Sequence, residues 1–393
     1  MVALKILISA GEASGDLYAA SLAAELRRRH PDLELFGCAG PRMRAAGVRA
    51  VVDAASLAVV GLIEVVAHIP RIRREFRKLL AAARAERPAL AILTDSPDFH
   101  LRLARRLKRM GIPVVYLVAP QVWAWRKGRL AAMRRSIDRL LCIFPFEEPF
   151  FREHGVPVTY IGHPLSRLVR PSLSKEEFFR KHGLAEDRPL VALLPGSRPA
   201  EAARHMPALK AAAAEIARRL PVNLVLGLPE KTGDRVYCPG FFRERIPGAS
   251  IQVIEGETWN VLAHATLALA ASGTVTVEAA LLGTPVVTFY KVTALSWFAG
   301  KFLVDVPFYS MVNLIAGRAV IPELMQNEMT GERLAAEALR LLNSPDTREE
   351  MRRQLQAVGH ALAGPEDPME RAAGIVDEIL ATNHRWQPSK SKK

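Results

Sequence analysis

The chain of 393 residues is 50% apolar and 24% charged, which is enough for two domains with full cores and excludes a disordered chain. Its three cysteines, Cys38, Cys142 and Cys238, are odd in number, far apart and without paired metal spacing. Neither a disulfide framework nor a zinc site is expected, and they read as buried small hydrophobes in a reducing compartment. Formal net charge is +14, carried unevenly: residues 1–150 hold 25 Lys/Arg against 14 Asp/Glu, the remainder 29 against 26.

A basic first half suits nucleic acid, an anionic membrane or a phosphorylated substrate. Zinc-finger, RNA-recognition and basic-zipper patterns are missing from the sequence, which argues against nucleic acid. No uninterrupted apolar run reaches the ~18 residues of a membrane span, and the longest candidate, Ala54 to Pro70, is broken by Glu64 and His68. The protein is expected to be soluble or peripheral. Met1 to Ala10 carries Lys5 and leads straight into a glycine turn, as a first strand does and a signal peptide does not.

From there the chain alternates short β-rich runs ending in Gly, Pro or Asp with Ala/Leu/Arg segments of helical period. Strands are predicted at Lys5–Ser9, Leu33–Phe36, Leu90–Leu93, Val114–Val118 and Arg139–Ile143, with a sixth strand-like segment before Gly162. Helices are predicted at Leu17–Arg29 and Phe99–Lys108. After a polar linker a second series predicts strands at Leu190–Leu194, Val222–Leu226, Ser250–Val253, Leu267–Ala270 and Val286–Phe289, with helices at Pro199–Arg219 and Thr276–Leu282. Strands apolar throughout need both faces covered, so two doubly wound parallel α/β (Rossmann-like) sheets facing across a cleft are expected. The expected boundaries are 1–170, a linker at 171–188, a second domain at 189–345, helices at 346–385 that pack back or are exchanged, and a disordered basic tail at 386–393.

Ligands of such sheets sit beyond the strand C-termini, which singles out six loops. The first, Gly11 to Asp16, holds Glu12, Ser14 and Asp16; its acids would repel a bare diphosphate, so it either faces a sugar or acceptor or is a turn in which Asp16 caps a helix. The strand Leu90–Leu93 runs into Thr94-Asp95-Ser96-Pro97-Asp98-Phe99. A sugar transfer with inversion requires one carboxylate within reach of the acceptor hydroxyl, and Asp98, further out than Asp95, is the better placed, unless it only caps the next helix. Trp123 and Trp125 stack on a sugar face or acyl chain, or pack between domains. His163, in Gly162-His163-Pro164, is a ligand contact or a structural residue.

In the second series, Ser197 and Arg198 follow a strand, and Arg198 is suited to balance charge on a leaving diphosphate. The segment Leu267 to Tyr290 looks like strand, small-residue turn, helix start and strand. Ser272, Gly273 and Thr274 place unpaired N–H groups and a positive helix end where a phosphate can sit. Glu278, one turn on, is spaced to accept both hydroxyls of a ribose; the alternative is a capped helix whose dipole Glu278 complements. Asn313 and Gln326 either hydrogen-bond sugar hydroxyls or cap helices. Neither half shows an Asp-x-Asp metal motif, so no metal and no cofactor is expected.

Taken in order, Gly11 to Asp16, Ser96 to Phe99, Gln121 to Trp125, Gly162 to Pro164, Leu194 to Arg198 and Ala271 to Glu278 with Gly283-Thr284-Pro285 resemble the lipid-A-disaccharide synthase family of inverting GT-B glycosyltransferases. The resemblance implies transfer from UDP-2,3-diacylglucosamine to the 6-hydroxyl of 2,3-diacylglucosamine 1-phosphate (lipid X), giving a β-1,6-linked disaccharide 1-phosphate and UDP. It implies Asp98 as base, Arg198 as diphosphate stabiliser, Glu12 near the reacting sugars, and Glu278 with Ser272 to Thr274 as UDP holder. Asn313 and Gln326 match two further family positions, although Met311-Val312 stand where the family usually has Leu-Pro. Acylated substrates imply a greasy, basic surface, expected at Val65, Val66, Ile69, Ile72 and Phe76, where Ile72, Phe76, Leu79, Leu80 and Ala83 share one helical face. Peripheral attachment to the cytoplasmic face of the inner membrane and a homodimer with exchanged C-terminal segments complete the implied picture. A different GT-B activity, or a sugar-nucleotide-binding scaffold without turnover, are the rival readings.

Overall fold

A computed structural model describes residues 4–57, 62–230, 250–293, 297–298, 306–364 and 366–382, with the backbone alone for 62–68. Cys238, the side chains of Val65 and Val66, and the tail 386–393 lie outside the described residues. The chain divides into two compact units: Met1–Pro164 with the chain from Ala363 on, and Leu165–Leu362.

The first unit is a seven-stranded sheet in which every pairing is parallel. Its strands are β1 (Lys5–Ser9), β2 (Glu34–Ala39), β3 (Arg49–Asp53), β4 (Leu90–Thr94), β5 (Val114–Leu117), β6 (Arg139–Cys142) and β7 (Val158–Tyr160), in the order β3-β2-β1-β4-β5-β6-β7. The aliphatic runs of β1, β4 and β5 are buried because helices cover both faces. The helices that matter for the site are α1 (Ala13–Arg29), α2 (Pro41–Ala45), α3 (Leu62–Glu86) and α4 (Pro97–Arg109). Leu7, Phe36, Leu93, Leu103 and Tyr116 form part of one continuous core.

The second unit repeats the plan with β8 (Leu190–Leu194), β9 (Asn223–Leu228), β10 (Ile251–Glu255), β11 (Leu267–Ala271), β12 (Val286–Tyr290) and β13 (Glu323–Met325), in the parallel order β10-β9-β8-β11-β12-β13. In each sheet the strand order reverses once, between β1 and β4 and between β8 and β11, where Ser9 pairs with Leu93 and Leu194 with Ala270. Loops diverge at such a reversal and leave a crevice at the strand C-termini. Five of the six singled-out loops follow β1, β4, β5, β8 or β11, and four of those flank the two reversals.

Two details differ from the sequence expectations, and the C-terminal helices refine a third. The stretch expected as a linker contains the helix Lys175–His182, closed by a reciprocal Ser174/Glu177 capping box and by Gly183 at φ 62°. The edge strands β3 and β13 are additional to the expected strands; β3 carries polar Arg49 and Asp53 at its ends, and β13 is only three residues long. Of the C-terminal helices, Pro345–Ala363 belongs to the second unit, whereas Pro368–Thr382 packs on α1, where Arg29 and His30 both reach Asp377 (3.1 and 2.7 Å).

Candidate active site

At the β1/β4 reversal the centre of the geometry is Asp95, the carboxylate that sequence reasoning set aside. It accepts the backbone N–H of Gly11 on both oxygens (2.9 and 3.1 Å) and that of Glu12 (3.0 Å), binding the loop after β1 to the loop after β4. Burial lifts its carboxyl up to about 7, against those two donors. Asp95 and Ser96 are consecutive left-handed residues (φ 54° and 37°), a costly pairing for non-glycine residues that the surrounding bonds hold in place. Tyr116 donates its hydroxyl to the Asp95 carbonyl. His100, fully buried and held neutral by burial to about 4, donates Nδ1–H to that same carbonyl (3.0 Å), so Nε2 accepts the Ser9 hydroxyl (2.8 Å).

This arrangement presents α4 with its first turn outward. Asp98, second residue of α4 after Pro97, has a side chain 69% exposed. Arg126 Nη1 donates to both of its oxygens (3.2 and 3.0 Å) and Arg129 Nη2 donates to one. Both guanidiniums lie over the ring of Trp125, 4.4 and 5.4 Å from its centre. Sequence reasoning found Asp98 and Trp125 but neither arginine, since the third dimension alone brings the loop after β5 beside α4. Glu12 and Ser14 are exposed at the start of α1.

Three expected contacts on this unit take another role. Asp16 is buried and its carboxylate accepts N–H groups of Gly40, Arg42 and Met43 (2.9, 2.9 and 3.2 Å), so it caps α2 rather than its own helix or a sugar. Trp123 packs edge-on to Phe146 and donates its indole N–H to Glu147 (3.1 Å), a buried carboxyl pushed up to about 8 by desolvation. His163 is buried between Phe144 and Tyr18, its ring held neutral, down to about 3. On α3 the expected lipid-facing stripe turns inward: Phe76 sits edge-on to Phe99 (5.5 Å), and Leu79, Leu80 and Ala83 join the core. The helix lies against β3 and α4, so that face is covered. Ile72 is half-buried, leaving Ile69, 36% exposed, beside Arg71, Arg73, Arg74 and Arg77 at the surface. Cys38 and Cys142 are buried thiols.

At the β8/β11 reversal, Ser272 donates to the Tyr309 carbonyl (3.3 Å), while Gly273 and Thr274 stand exposed at the start of the helix Thr274–Leu282. A Cβ added to Gly273 would meet no described atom within 4 Å, so the helix start is open on that side. Glu278 is half-buried on this helix; desolvation raises its carboxyl, opposed by a hydrogen bond from the Trp259 side chain. Ser197 is exposed, and Arg198 is the N-cap of the helix Pro199–Arg219, in an ion pair with Glu201 (2.9 Å) that also takes the Tyr290 hydroxyl (2.8 Å). Below them His205 donates Nδ1–H to the Pro195 carbonyl (2.7 Å) and accepts the Lys291 N–H (3.1 Å), fastening the ends of β8 and β12.

Asn313 and Gln326 are internal braces. The Asn313 amide donates to Ile321 O and Glu323 (2.9 and 2.8 Å) and accepts from Val320 and Ile321 N–H (2.7 and 3.0 Å), using its donors and acceptor on one loop. Gln326, in left-handed backbone at φ 51°, exchanges two bonds with the backbone of Val292 (2.7 and 3.2 Å).

Two parallel α/β units of this plan are shared with the calicheamicin glycosyltransferase (TM-score 0.61, 18% identity, 97% of this chain and 99% of that one). MurG of Acinetobacter baumannii shares them too (TM-score 0.57, 14% identity, 95% and 99%). Fold and relatives together define a glycosyltransferase of the GT-B class. The family model of lipid-A-disaccharide synthetase matches residues 6–367, and the lipid-A-disaccharide synthase of Solibacter usitatus is 68% identical over 376 residues, 96% of this chain and 97% of that protein. The chain belongs to the lipid-A-disaccharide synthase family and is a glycosyltransferase of lipid A disaccharide formation.

Proposed function

We propose that the chain transfers the 2,3-diacylglucosaminyl group of UDP-2,3-diacylglucosamine to the 6-hydroxyl of 2,3-diacylglucosamine 1-phosphate, with inversion. The observation that carries the assignment of the base is the exposed Asp98 carboxylate on the first turn of α4, beside a strand-order reversal. Asp98 takes the proton of the 6-hydroxyl while that oxygen bonds the anomeric carbon of the donor. The bond from that carbon to the diphosphate breaks and its electron pair leaves with UDP. Arg198 and the N–H groups at the start of Thr274–Leu282 balance the charge that accumulates on the diphosphate, and Glu278 accepts the ribose hydroxyls. Glu12, beside Asp95, lines the acceptor side. Membership of the family supports the substrates; the two loop sets support the roles.

The test is product formation from the two acylated sugars, read by mass spectrometry with EDTA present, for wild type and Asp98→Ala. Disaccharide and UDP are expected from wild type, with a loss of roughly a hundredfold to ten-thousandfold in the variant. A folded, UDP-binding wild type that yields no disaccharide sinks the substrate assignment, and an active Asp98→Ala sinks the base.

The acyl chains of both substrates favour peripheral attachment to the cytoplasmic face of the inner membrane, supported by exposed Ile69 among the α3 arginines. Co-sedimentation with anionic vesicles at low salt, weakened by Ile69→Glu, is the expected result. Indifference to the vesicles removes this part of the proposal.

A further inference from the structure

Arg126 and Arg129 are more than a single exposed carboxylate requires. Asp98 already sits in the first turn of α4, where the positive helix end favours a negative group. The two guanidiniums nevertheless supply three N–H bonds to it, out of roughly four lone-pair positions a carboxylate offers. A base so occupied has little room left for a hydroxyl.

The cations are also held in advance. Trp125 lies under both guanidiniums, the Arg129 side chain is only 14% exposed, and Arg126 stands in left-handed backbone at φ 59°, a conformation an L residue adopts at a cost. Two cations from one loop thus face one carboxylate. Two guanidiniums match a dianion, and their planar forks match the oxygens of a phosphate monoester.

We infer that Arg126 and Arg129, on the platform of Trp125, bind the anomeric phosphate of the acceptor sugar, and that their transfer from Asp98 to that phosphate frees the base. The inference rests on the proposed assignment of Asp98 and of a phosphorylated acceptor. On a hexose the 6-hydroxyl and the 1-phosphate are attached through the two ring carbons that flank the ring oxygen, so both fall within one ring's width. A group that holds the phosphate therefore has to neighbour the group that deprotonates the hydroxyl. Arg126 and Arg129 are such neighbours of Asp98. Their ion pair is the state without acceptor, and the acceptor's own charge switches it off.

The experiment compares kcat/KM for 2,3-diacylglucosamine 1-phosphate with that for the same acylated sugar lacking the phosphate, in wild type, Arg126→Gln, Arg129→Gln and the two Arg→Lys variants. Wild type is expected to favour the phosphorylated acceptor by roughly tenfold to a hundredfold, and each Gln variant to lower that ratio about tenfold, with Lys restoring part of it. A wild type that ignores the phosphate overturns the inference. So do Gln variants that slow both acceptors in equal proportion, which is the signature of arginines that merely orient Asp98. If Arg129→Gln fails to fold, as judged by thermal melting and UDP binding, the half-exposed Arg126→Gln decides alone. Failure of the underlying reading is separately visible, as absence of disaccharide from both acceptors with folded, UDP-binding wild type.

Discussion

The Asp95 carboxylate occupies the space that a side chain on Gly15 would need. A Cβ at Gly15 would lie 1.7 Å from Asp95 Oδ2, and one at Gly11 would lie 2.5 Å from Ser96 Oγ. The two glycines of the first loop therefore serve the carboxylate and hydroxyl of the fourth strand's loop, and the fit joins the two sides of the crevice.

This fit predicts a non-additive pair. Gly15→Ala alone should destabilise by about 1–3 kcal/mol, as overpacking does. In an Asp95→Gly background, which removes the obstructing carboxylate and tolerates φ 54°, the same alanine should cost less than about 1 kcal/mol. Denaturant midpoints of the four proteins form the cycle; simple additivity would show that Asp95 is not what Gly15 makes room for.

Gly273→Ala separates phosphate binding from folding. The position is extended at φ 162° and a Cβ would meet no described atom within 4 Å, so the melting temperature should stay within what ~0.5 kcal/mol produces. A diphosphate on the helix start needs close backbone approach, so the Kd for UDP should rise about tenfold or more by calorimetry. Unchanged UDP affinity would move the diphosphate away from this turn.

Asn313→Ala should do the reverse. Removing four bonds from an amide 1% exposed leaves Val320 and Ile321 N–H, Ile321 O and Glu323 without that partner. A loss of about 2–4 kcal/mol in chemical unfolding is expected. A variant of native stability with weakened sugar binding would instead restore Asn313 to the substrate.

The fold was legible because its signals are local. An all-apolar run such as Leu190–Leu194 ending at Pro195-Gly196 says buried strand and stop without reference to any partner, and the same holds at Leu267–Ala271. The capping box at Ser174 and Glu177 is equally local and was readable, but the polar composition around it suggested a linker. The site was only half legible. Loop position marked Asp98, Arg198 and the Ser272 turn, yet which polar side chains turn inward depends on neighbours distant in sequence. Asp16 meets residues 40 to 43, Gln326 meets Val292, and Phe76 meets Phe99. Asp95 and Asp98 differ by three residues and by almost complete burial, a distinction made by the loop after β1 and not by anything in Thr94 to Phe99.

Glu147 and Asp95 should make stability fall as pH rises toward 8. Burial raises Glu147 to about 8 and Asp95 to about 7, far above ordinary carboxyls near 4. Between the ordinary and the raised values the folded chain holds protons that the unfolded chain has released, so stability falls as pH rises, by about 1.4 kcal/mol per unit for each group. His100 and His163 act oppositely: burial lowers them to about 4 and about 3, so the unfolded chain takes up protons below ~6.5 and stability falls as pH falls. The two pairs offset one another between pH ~4.5 and ~6.5, and of these four groups the carboxyls alone act from there to ~8. Glu147→Gln keeps an oxygen for the Trp123 indole and removes one titration. Its urea midpoint should therefore drop less than that of wild type between pH 6.5 and 8. Equal slopes for the two proteins would mean that Glu147 is ionised throughout this range.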